Sequence, residues 1–403
     1  MSGSMSVQLP GENDPRVAIE EREEEQRRRL LLLLLFLLVL LACVGVLFFR
    51  YLRRPAPLPD LLPVPVAANY SPHYLFSIYG VDKPVGVALS PGGNQIYVTE
   101  TGGDRMVKVF DRDGDPLGSF VPPRTRPGER SPVYLATDSA GRVFVTDRLQ
   151  HAVFVYDRDG VYLDTILGPE LTLSEYVSEH LGEQQTDVTF TYNIFEAAVR
   201  YQALGKAERT LPAPESASWS PLGIRIDRTG KLLLTDVVHE RHTVRTIPPG
   251  IVGSGDDVYV GAFGDYGQGD GQFLFPNAAV TDSRGRIYVT DSNNGRVSIW
   301  QVSASGGQGR FIGHFGQGAG DDALNLPRGA TVDARDRLYV VDTVGQDVHV
   351  YDVSGAEPDF LFSFGGWGLG DGQFDYPNDV AVDATGRLYV TDRENNRVQV
   401  WSY

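Results

Sequence analysis

The side chains of this sequence that could carry out chemistry are mainly carboxylates and arginines that recur at regular intervals. Six acidic residues occupy equivalent positions, and in four cases an arginine follows five residues later. A carboxylate beside a base can serve in proton transfer, but a pair that recurs in several repeats is expected to be a structural tie. The pairs are Glu100/Arg105, Asp236/Arg241, Asp291/Arg296 and Asp392/Arg397, whereas Asp147 and Asp342 are followed at that offset by Ala152 and Asp347.

Metal and nucleophile chemistry have weaker support in the sequence. His239 and His242 could share an ion, but no third ligand can be placed beside them, and the other histidines are scattered. Residues 111–115 resemble the start of a calcium-binding loop, yet Pro116 stands where such a loop requires glycine. We therefore expect a hairpin turn there. Nucleotide-binding, serine-hydrolase, haem-attachment and kinase motifs are also missing from the sequence.

The recurring acids close a repeated unit. Each unit opens with a proline, reaches its acid 15 residues later (16 in the first copy) and contains three short apolar runs separated by turns. Such runs predict antiparallel strands, and a repeat of roughly 40–50 residues built from them is typical of a β-propeller. The opening prolines are Pro84, Pro132, Pro221, Pro276, Pro327 and Pro377.

The repeated unit resembles the NHL repeat. Residues 376–401 contain P-N-D-V-A-V-D, then G-R-L-Y-V-T-D, then N-N-R-V-Q-V, and residues 267–273 and 368–374 match the loop that joins repeats in that family. The resemblance covers about residues 74–403. It implies an all-β, six-bladed propeller, but the family includes sensors, RNA binders, scaffolds and a few enzymes, so fold does not decide function.

The two ends of the repeat region indicate how the ring closes. The sixth repeat stops at Tyr403 without a fourth strand, and residues 74–80, before the first repeat, resemble the missing strand. We expect this segment to complete the last blade, because closure removes exposed sheet edges. Six blades are predicted over residues 70–403, with a seventh blade in the long gap after the second repeat as the alternative.

That gap, residues 169–218, is the one large departure from the repeat, and it lies between the second and third blades. A capping box that starts at Thr172 predicts a helix ending before Gly182, and Asn193 could start a second helix. Residues 188–192 could form a strand between them. An insertion of this length is often functional, and a packed decoration is the alternative.

The N-terminal region divides into three parts. Residues 1–29 are polar and of mixed charge, which predicts a disordered cytoplasmic tail. Residues 30–49 are all apolar, and a helix of that length spans about 30 Å, the thickness of a bilayer core. We predict a single uncleaved transmembrane helix, because the apolar region of a signal peptide is usually only ~7–15 residues. Residues 50–69 are rich in proline, which predicts a semi-rigid stalk.

Charge and cysteine content restrict the location and the partners. More arginines precede the apolar run than follow it, which favours a cytoplasmic N-terminus and an extracytoplasmic propeller at the cell membrane. The only cysteine, Cys43, lies in the apolar run, so the exported part has no disulfide. Residues 1–69 hold eight basic and eight acidic residues, so the net charge of −16 belongs to the propeller. That charge opposes binding to nucleic acid.

The resemblance implies that ligands bind on the face where the inner strands begin, and that the insert emerges on this face and partly covers it. The polar residues at these strand starts are Tyr134, Asn277, Arg328, Asn378 and Asp379. We predict that they line the mouth of the central channel and bind a ligand. The alternative is that they only hydrogen-bond to one another around a hydrated channel.

Two classes of function follow. The favoured hypothesis is a non-enzymatic sensor or scaffold that binds a protein or small molecule, similar to the extracellular part of receptor kinases with NHL propellers. The N-terminal tail is too short for a kinase, so a signal would require a membrane partner. The alternative is a calcium-dependent hydrolase resembling gluconolactonases, with calcium held by Asn277, Asn378 and Asp379, although Arg328 would repel a cation. Zinc-dependent lyases of the family use histidines at the strand starts, and this sequence has none there.

Overall fold

The computed structural model describes residues 15–53, 71–168, 171–181, 188–214, 219–239, 241–248, 261–302 and 309–403. The chain forms two compact units, divided between Ala56 and Pro57. Most of the predicted stalk lies outside the described residues, as do residues 1–14.

The first unit contains one helix, α1, Pro15–Arg53. Within it, Gln26–Val46 has a mean hydropathy of 2.9, and its length and composition suit either a membrane span or a signal sequence. The predicted disorder is wrong for residues 15–29, which belong to the helix. Residues 20–29 consist of Glu, Arg and Gln, which have high helix propensity. This charged segment therefore extends the apolar helix at its N-terminal end.

Among the described residues, the second unit contains six antiparallel sheets of four or five strands, which we call blades and number in chain order. Strand β1 (His73–Ile78) precedes them. Blade one consists of β2 (Pro84–Leu89), β3 (Gln95–Glu100), β4 (Val107–Asp111) and β5 (Pro116–Phe120). Blade two consists of β6 (Pro132–Thr137), β7 (Val143–Asp147), β8 (Ala152–Tyr156), β9 (Tyr162–Gly168) and the short β10 (Leu171–Thr172).

The insert follows blade two with helix α2 (Leu173–Leu181) and strands β11 (Val188–Asn193), β12 (Ala198–Ala203) and β13 (Arg209–Pro212). Blade three consists of β14 (Pro221–Ile226), β15 (Leu232–Val238), β16 (Arg241–Ile247) and β17 (Gly261–Phe263). A short parallel pair, β18 (Asp265–Tyr266) and β19 (Gln272–Phe273), leads to the next blade.

Blades four to six are the most regular. Blade four consists of β20 (Pro276–Thr281), β21 (Arg286–Asp291), β22 (Arg296–Gln301) and β23 (Arg310–Phe315). Blade five consists of β24 (Pro327–Val332), β25 (Arg337–Asp342), β26 (Asp347–Asp352) and β27 (Asp359–Gly365). Blade six contains β28 (Pro377–Val382), β29 (Leu388–Asp392) and β30 (Arg397–Ser402).

Strand β1 supplies the fourth strand of blade six. It pairs antiparallel with β30, with Ile78 opposite Val398 and His73 opposite Ser402. Each inner strand packs against the inner strand of the next blade, and β28 packs against β2. The prediction that a strand from the N-terminal side completes the last blade is therefore confirmed.

The core is divided among the contacts between neighbouring blades. Six buried apolar clusters lie among the described residues, and each joins two adjacent blades. Between blades six and one, for example, Val398 and Val400 pack with Ile96, Val98 and Phe110. A single blade cannot cover its own apolar faces, which explains why the repeat is stable only as a ring.

Each inner strand breaks its ladder after the opening proline, with a register shift before its fourth residue. In five blades the hydroxyl of a threonine in the second strand replaces the lost backbone acceptor, because it accepts a hydrogen bond from the amide of the third residue of the inner strand. In blade two, Thr146 accepts a hydrogen bond from the amide of Tyr134 (3.0 Å) and donates one to the carbonyl of Leu222 in blade three (2.7 Å). Neighbouring inner strands approach so closely that a Cβ on Gly223 would lie 1.6 Å from the carbonyl oxygen of Asn277.

The insert is a mixed structure that packs on blade two. Helix α2 is confirmed, and its capping box forms: the amide of Thr172 donates to Glu175 (3.0 Å) and the amide of Glu175 donates to Thr172 (3.3 Å). The second predicted helix is wrong. Asn193 caps only a single 3-10 turn, after which β12 pairs with β11 and β13. The β-branched and aromatic residues of this stretch favour a sheet.

Candidate functional site

The five predicted channel residues lie at the starts of the inner strands, and three of them meet. Tyr134 extends from blade two across the channel, where its hydroxyl contacts Oδ1 of Asn277 in blade four (3.2 Å) and Oδ1 of Asn378 in blade six (2.9 Å). All three residues are buried. Asn277 is held in place because its amide nitrogen donates to Ser292 (2.6 Å). This contact set links three blades across the centre of the ring.

Asp379 takes a different role from the one predicted, because it forms an ion pair with Arg225 of blade three. The side chain of Asp379 is fully buried and that of Arg225 is 14% exposed. Asp379 also accepts hydrogen bonds from the amides of Val87 (3.0 Å) and Val380 (2.9 Å). Sequence reasoning missed Arg225, although it is the only charged residue at the fifth position of any inner strand.

Burial dominates the electrostatics of these groups. It raises the pKa of Tyr134 well above its ordinary value, and the neighbouring Asp379 carboxylate raises it further. Burial also raises the pKa of Asp379, although Arg225 and two backbone amides favour its charged form. Tyr134 is consequently a neutral hydrogen-bond donor under ordinary conditions.

One donor at the inner-strand starts remains available to a ligand. Arg328, on the inner strand of blade five, is half-buried, and no ion pair or side-chain hydrogen bond holds its guanidinium within the described part of the chain. The amide of Asn378 is not a second free donor. The single proton of the Tyr134 hydroxyl goes to Asn277, whose orientation Ser292 fixes, so the nitrogen of Asn378 can donate to that hydroxyl when its amide is turned by 180°. Arg328 therefore favours a ligand that presents an acceptor.

Beyond the contacts of Tyr134, the channel widens toward the ends of the inner strands. A cavity of about 250 Å³ lies there, lined by Ala88, Ala136, Thr331, Ala381 and Arg225 among others. Most of its lining residues are small or aliphatic, but polar atoms make up the larger part of its exposed wall, and Arg225 supplies the charge. The Tyr134–Asn277–Asn378 contacts therefore separate the predicted mouth from this cavity.

The residues proposed for calcium do not converge on one point suited to a cation. The side-chain amides of Asn277 and Asn378 both contact the hydroxyl of Tyr134. Asp379 is already neutralised by a guanidinium. A calcium ion requires six to eight oxygen ligands, and Arg225 and Arg328 would both repel it.

The insert contacts blade two and the connection that precedes it. Gln150, in the loop between β7 and β8, donates to Asn193 (3.3 Å), and the amide of Ile194 donates back to Gln150 (2.9 Å). Arg124 pairs with Glu208. Leu173, Val177 and several aromatic residues of the insert join the apolar cluster between blades one and two. The insert is thus anchored beside the mouth by a shared core.

The recurring acids serve as structural ties in the blades, as the repetition predicts. In blade four Asp291 binds Arg296 (2.8 Å), and in blade six Asp392 binds Arg397 (2.7 Å). In blade three the distance between Asp236 and Arg241 is 3.4 Å. The predicted pair in blade one is wrong: Glu100 lies 4.0 Å from Lys108, while Arg105 donates to the carbonyl of Arg130.

Comparison with known proteins supports the repeat and the fold. The NHL repeat model matches residues 273–300 and 374–401. A stretch of 104 residues is 35% identical to the protein brain tumor of Drosophila melanogaster. This stretch makes up 26% of this chain and 9% of the Drosophila protein. The chain therefore spans only a small part of this curated relative.

Solved structures with similar folds are distant in sequence. A proposed gluconolactonase superposes with a TM-score of 0.53 at 12% identity, covering 87% of this chain and 97% of the other. A protein of unknown function from Bacteroides thetaiotaomicron superposes with a TM-score of 0.50 at 14% identity, covering 82% of this chain and 72% of the other. At these identities the likeness establishes the propeller fold alone.

Proposed function

We propose that this chain, an NHL-type β-propeller that follows one apolar N-terminal helix, is a membrane-anchored binding module. The helix holds the chain in the cell membrane, with the N-terminus in the cytoplasm and the propeller outside. The propeller acts as a sensor or scaffold that binds a protein or a small molecule. The length and hydropathy of Gln26–Val46 support the anchor, and the arginine-rich segment before it supports the orientation.

The observation that carries the binding proposal is the free guanidinium of Arg328 at the start of the inner strand of blade five. No ion pair or side-chain hydrogen bond holds it among the described residues. A guanidinium suits a carboxylate or a peptide carbonyl. We expect the ligand to present such a group to the mouth, in contact with Tyr134 and close to the insert.

The acidic propeller makes nucleic acid a poor partner. Its net charge of −16 would repel a phosphate backbone. An acidic side chain or a C-terminal carboxylate of a protein, or a small carboxylate, can still reach Arg328, because a single anchored group is attracted by local charge more than by net charge.

The anchor is tested by protease protection in intact cells that express the full chain. External protease should remove the propeller and leave a membrane-embedded fragment that contains α1. Protection of the propeller until the cells are lysed would contradict the orientation, and recovery of the intact propeller in the medium would indicate a cleaved signal sequence.

The binding site is tested with carboxylate probes. Citrate, succinate and a short peptide with an acidic C-terminus are titrated into the full chain in detergent, and thermal stabilisation is measured. Arg328→Ala should abolish the shift of any probe that binds, whereas Arg310→Ala, which removes an exposed arginine from an outer strand, should leave it unchanged. An equal shift in the wild type and Arg328→Ala would place the binding elsewhere.

A calcium-dependent hydrolase is the second candidate, supported by the structural likeness to a proposed gluconolactonase. It predicts that calcium raises the melting temperature and that substitution of Asn277, Asn378 or Asp379 removes the increase. The ion pair between Arg225 and Asp379 argues against that outcome. A calcium response that persists in all three variants would exclude the channel as its origin.

A further inference from the structure

Blade five departs from its neighbours at three linked positions, all on the end of the blade where β25 turns into β26. The register of the strands makes these positions equivalent in blades four, five and six. Blade five carries Gly345, Asp347 and His349. The counterparts are Asn294, Arg296 and Ser298 in blade four and Asn395, Arg397 and Gln399 in blade six.

In the neighbouring blades these positions neutralise the acid that closes the second strand. Asp392 receives hydrogen bonds from Arg397 (2.7 Å), from Asn395 (2.9 Å) and from Gln399 (2.9 Å). In blade five the equivalent acid, Asp342, instead faces a second carboxylate, Asp347, across the strand pair. The cationic partner of the repeat has been replaced by an anionic one.

A histidine completes the group. One ligand atom from each of Asp342, Asp347 and His349 can be chosen such that all three lie within 4.8 Å of one another. Nε2 of His349 lies 3.3 Å from Oδ1 of Asp347. The side chain of His349 is 5% exposed and that of Asp347 is 20% exposed, so the group is sheltered but open to solvent on one side.

The contacts of Tyr351 are compatible with a His349 whose Nε2 is available to an ion. The hydroxyl of Tyr351 donates to the carbonyl of Asp322 (3.1 Å) and lies 3.4 Å from Nδ1 of His349, so it can accept a hydrogen bond from Nδ1. In that tautomer Nε2 presents a lone pair. Nε2 faces Oδ1 of Asp347, a buried oxygen that receives no hydrogen bond from the described residues.

In that tautomer a cation between or beside Nε2 of His349 and Oδ1 of Asp347, which lie 3.3 Å apart, would satisfy both lone pairs. Room for one exists because residue 345 is glycine. A Cβ on Gly345 would lie 2.6 Å from Oδ2 of Asp342 and 3.1 Å from Oδ1 of Asp347. The asparagine used at this position in blades four and six would fill that space.

We propose that Asp342, Asp347 and His349 bind a divalent transition-metal ion such as zinc, which ties β25 to β26 in place of the arginine of blades four and six. Two carboxylates and one imidazole nitrogen are ligands that such an ion accepts. Asp347 and His349 offer the free donor atoms, while the oxygens of Asp342 also accept hydrogen bonds from Asn325, Leu326 and Gly345. The hydrogen bond from Nδ1 to Tyr351 orients the imidazole, as outer-shell partners of metal-bound histidines usually do. Water completes the coordination on the exposed side of Asp347.

The experiment uses the full chain in detergent, without a histidine tag, treated with EDTA and then equilibrated with zinc chloride and desalted. We expect one zinc ion per chain by elemental analysis and a rise of several degrees in melting temperature relative to the EDTA-treated protein. Asp347→Asn and His349→Gln should each lose both effects. Asp270→Asn, which removes a carboxylate 3.8 Å from His314 at the surface, should keep both.

The arginine of the repeat supplies a second variant. Asp347→Arg restores the residue of blades four and six, so it should fold without metal and show no zinc response. Retention of a full equivalent of zinc in Asp347→Asn or Asp347→Arg would overturn the proposal. So would a wild type that binds no zinc.

Discussion

Blades five and six have almost the same backbone but stabilise it in different ways. In blade six a buried aspartate, an arginine, an asparagine and a glutamine form one neutral network. In blade five the same aspartate has only backbone amides and Asn325 as donors, and a second carboxylate lies opposite. Blade five also has Val341 where the other five blades have the threonine that bridges inner strands.

The difference shows that the repeat tolerates loss of its polar ties as long as its apolar contacts remain. Tyr339, Val348 and Val350 of blade five pack against Val390 and Trp401 of blade six in one buried cluster. The apolar faces hold adjacent blades together, while the polar positions at the ends of the strands are free to diverge. Blade five has used that freedom, since it also carries Arg328 where blade six has Asn378.

The largest effect should come from removing the strand that makes blade six depend on both ends of the propeller. Deletion of residues 73–78 removes the pairing of β1 with β30 and the buried side chains of Leu75 and Ile78. Each such side chain contributes about 1.5–3 kcal/mol, so we expect the melting temperature to fall by more than about 10 °C. A synthetic peptide of residues 71–80 should restore part of the loss, and an unaltered melting curve after deletion would disprove ring closure.

The second-largest effect should appear when the closing aspartates of blades six and five are each replaced by alanine and the losses in the free energy of unfolding are compared. Asp392→Ala leaves Arg397 buried without its counter-charge, which should cost about 3–5 kcal/mol of the free energy of unfolding. Asp342→Ala, measured in EDTA, should cost clearly less, because it also removes the repulsion from Asp347. Denaturant titrations of both variants give the comparison, and equal losses would show that the opposing carboxylates in blade five carry no penalty.

Blade two adds a third arrangement, because its acid, Asp147, has Ala152 opposite it in place of an arginine or a second carboxylate, and only the more distant Arg130 acts on its charge. Burial raises the pKa of Asp147 to about 6, although amides of Ser131, Leu149 and Gln150 stabilise its charged form. The folded pKa lies above the unfolded value, so this group's contribution is fully present below about pH 4 and is lost as pH rises through about 6. Asp147→Asn should flatten the pH dependence of the unfolding free energy between pH 4 and 7 by on the order of 2 kcal/mol. The same slope in the variant and the wild type would refute this assignment.

The smallest effect should come from giving blade five the threonine of its neighbours. Val341→Thr replaces a buried side chain of similar shape with one whose hydroxyl can bridge β24 to the carbonyl of Asn378, as Thr290 bridges to Arg328 (2.6 Å). A net hydrogen bond contributes about 0.5–1.5 kcal/mol, so a gain of up to about 1 kcal/mol is expected. Destabilisation of more than that amount would mean that blade five cannot accept the bridge. Thr290→Val in blade four is the reverse control and should lose stability.

The sequence by itself determined the repeat, the strand order within a blade, the closure of the ring and the first helix of the insert. These features depend on local chemistry: alternating apolar residues, Gly and Asn turns, and a capping box all act within a few residues. The closing acids could be identified as structural for the same reason, since their partners lie five residues away in the chain. The second helix of the insert failed because pairing with strands on either side overrode its capping signal.

Only the tertiary structure decided which groups meet in the channel and which remain free. Arg225 and Asp379 are 154 residues apart in the chain, and Tyr134 reaches Asn378 across 244. Ring closure brings these distant residues together, so no local pattern could specify their pairing. The same holds for His349, whose imidazole contacts Tyr351 and, through it, the carbonyl of Asp322 in a preceding loop. Long-range packing sets the distances between polar atoms to within a few tenths of an ångström. Differences of that size decide whether a side chain is already hydrogen-bonded or can still bind a ligand or an ion.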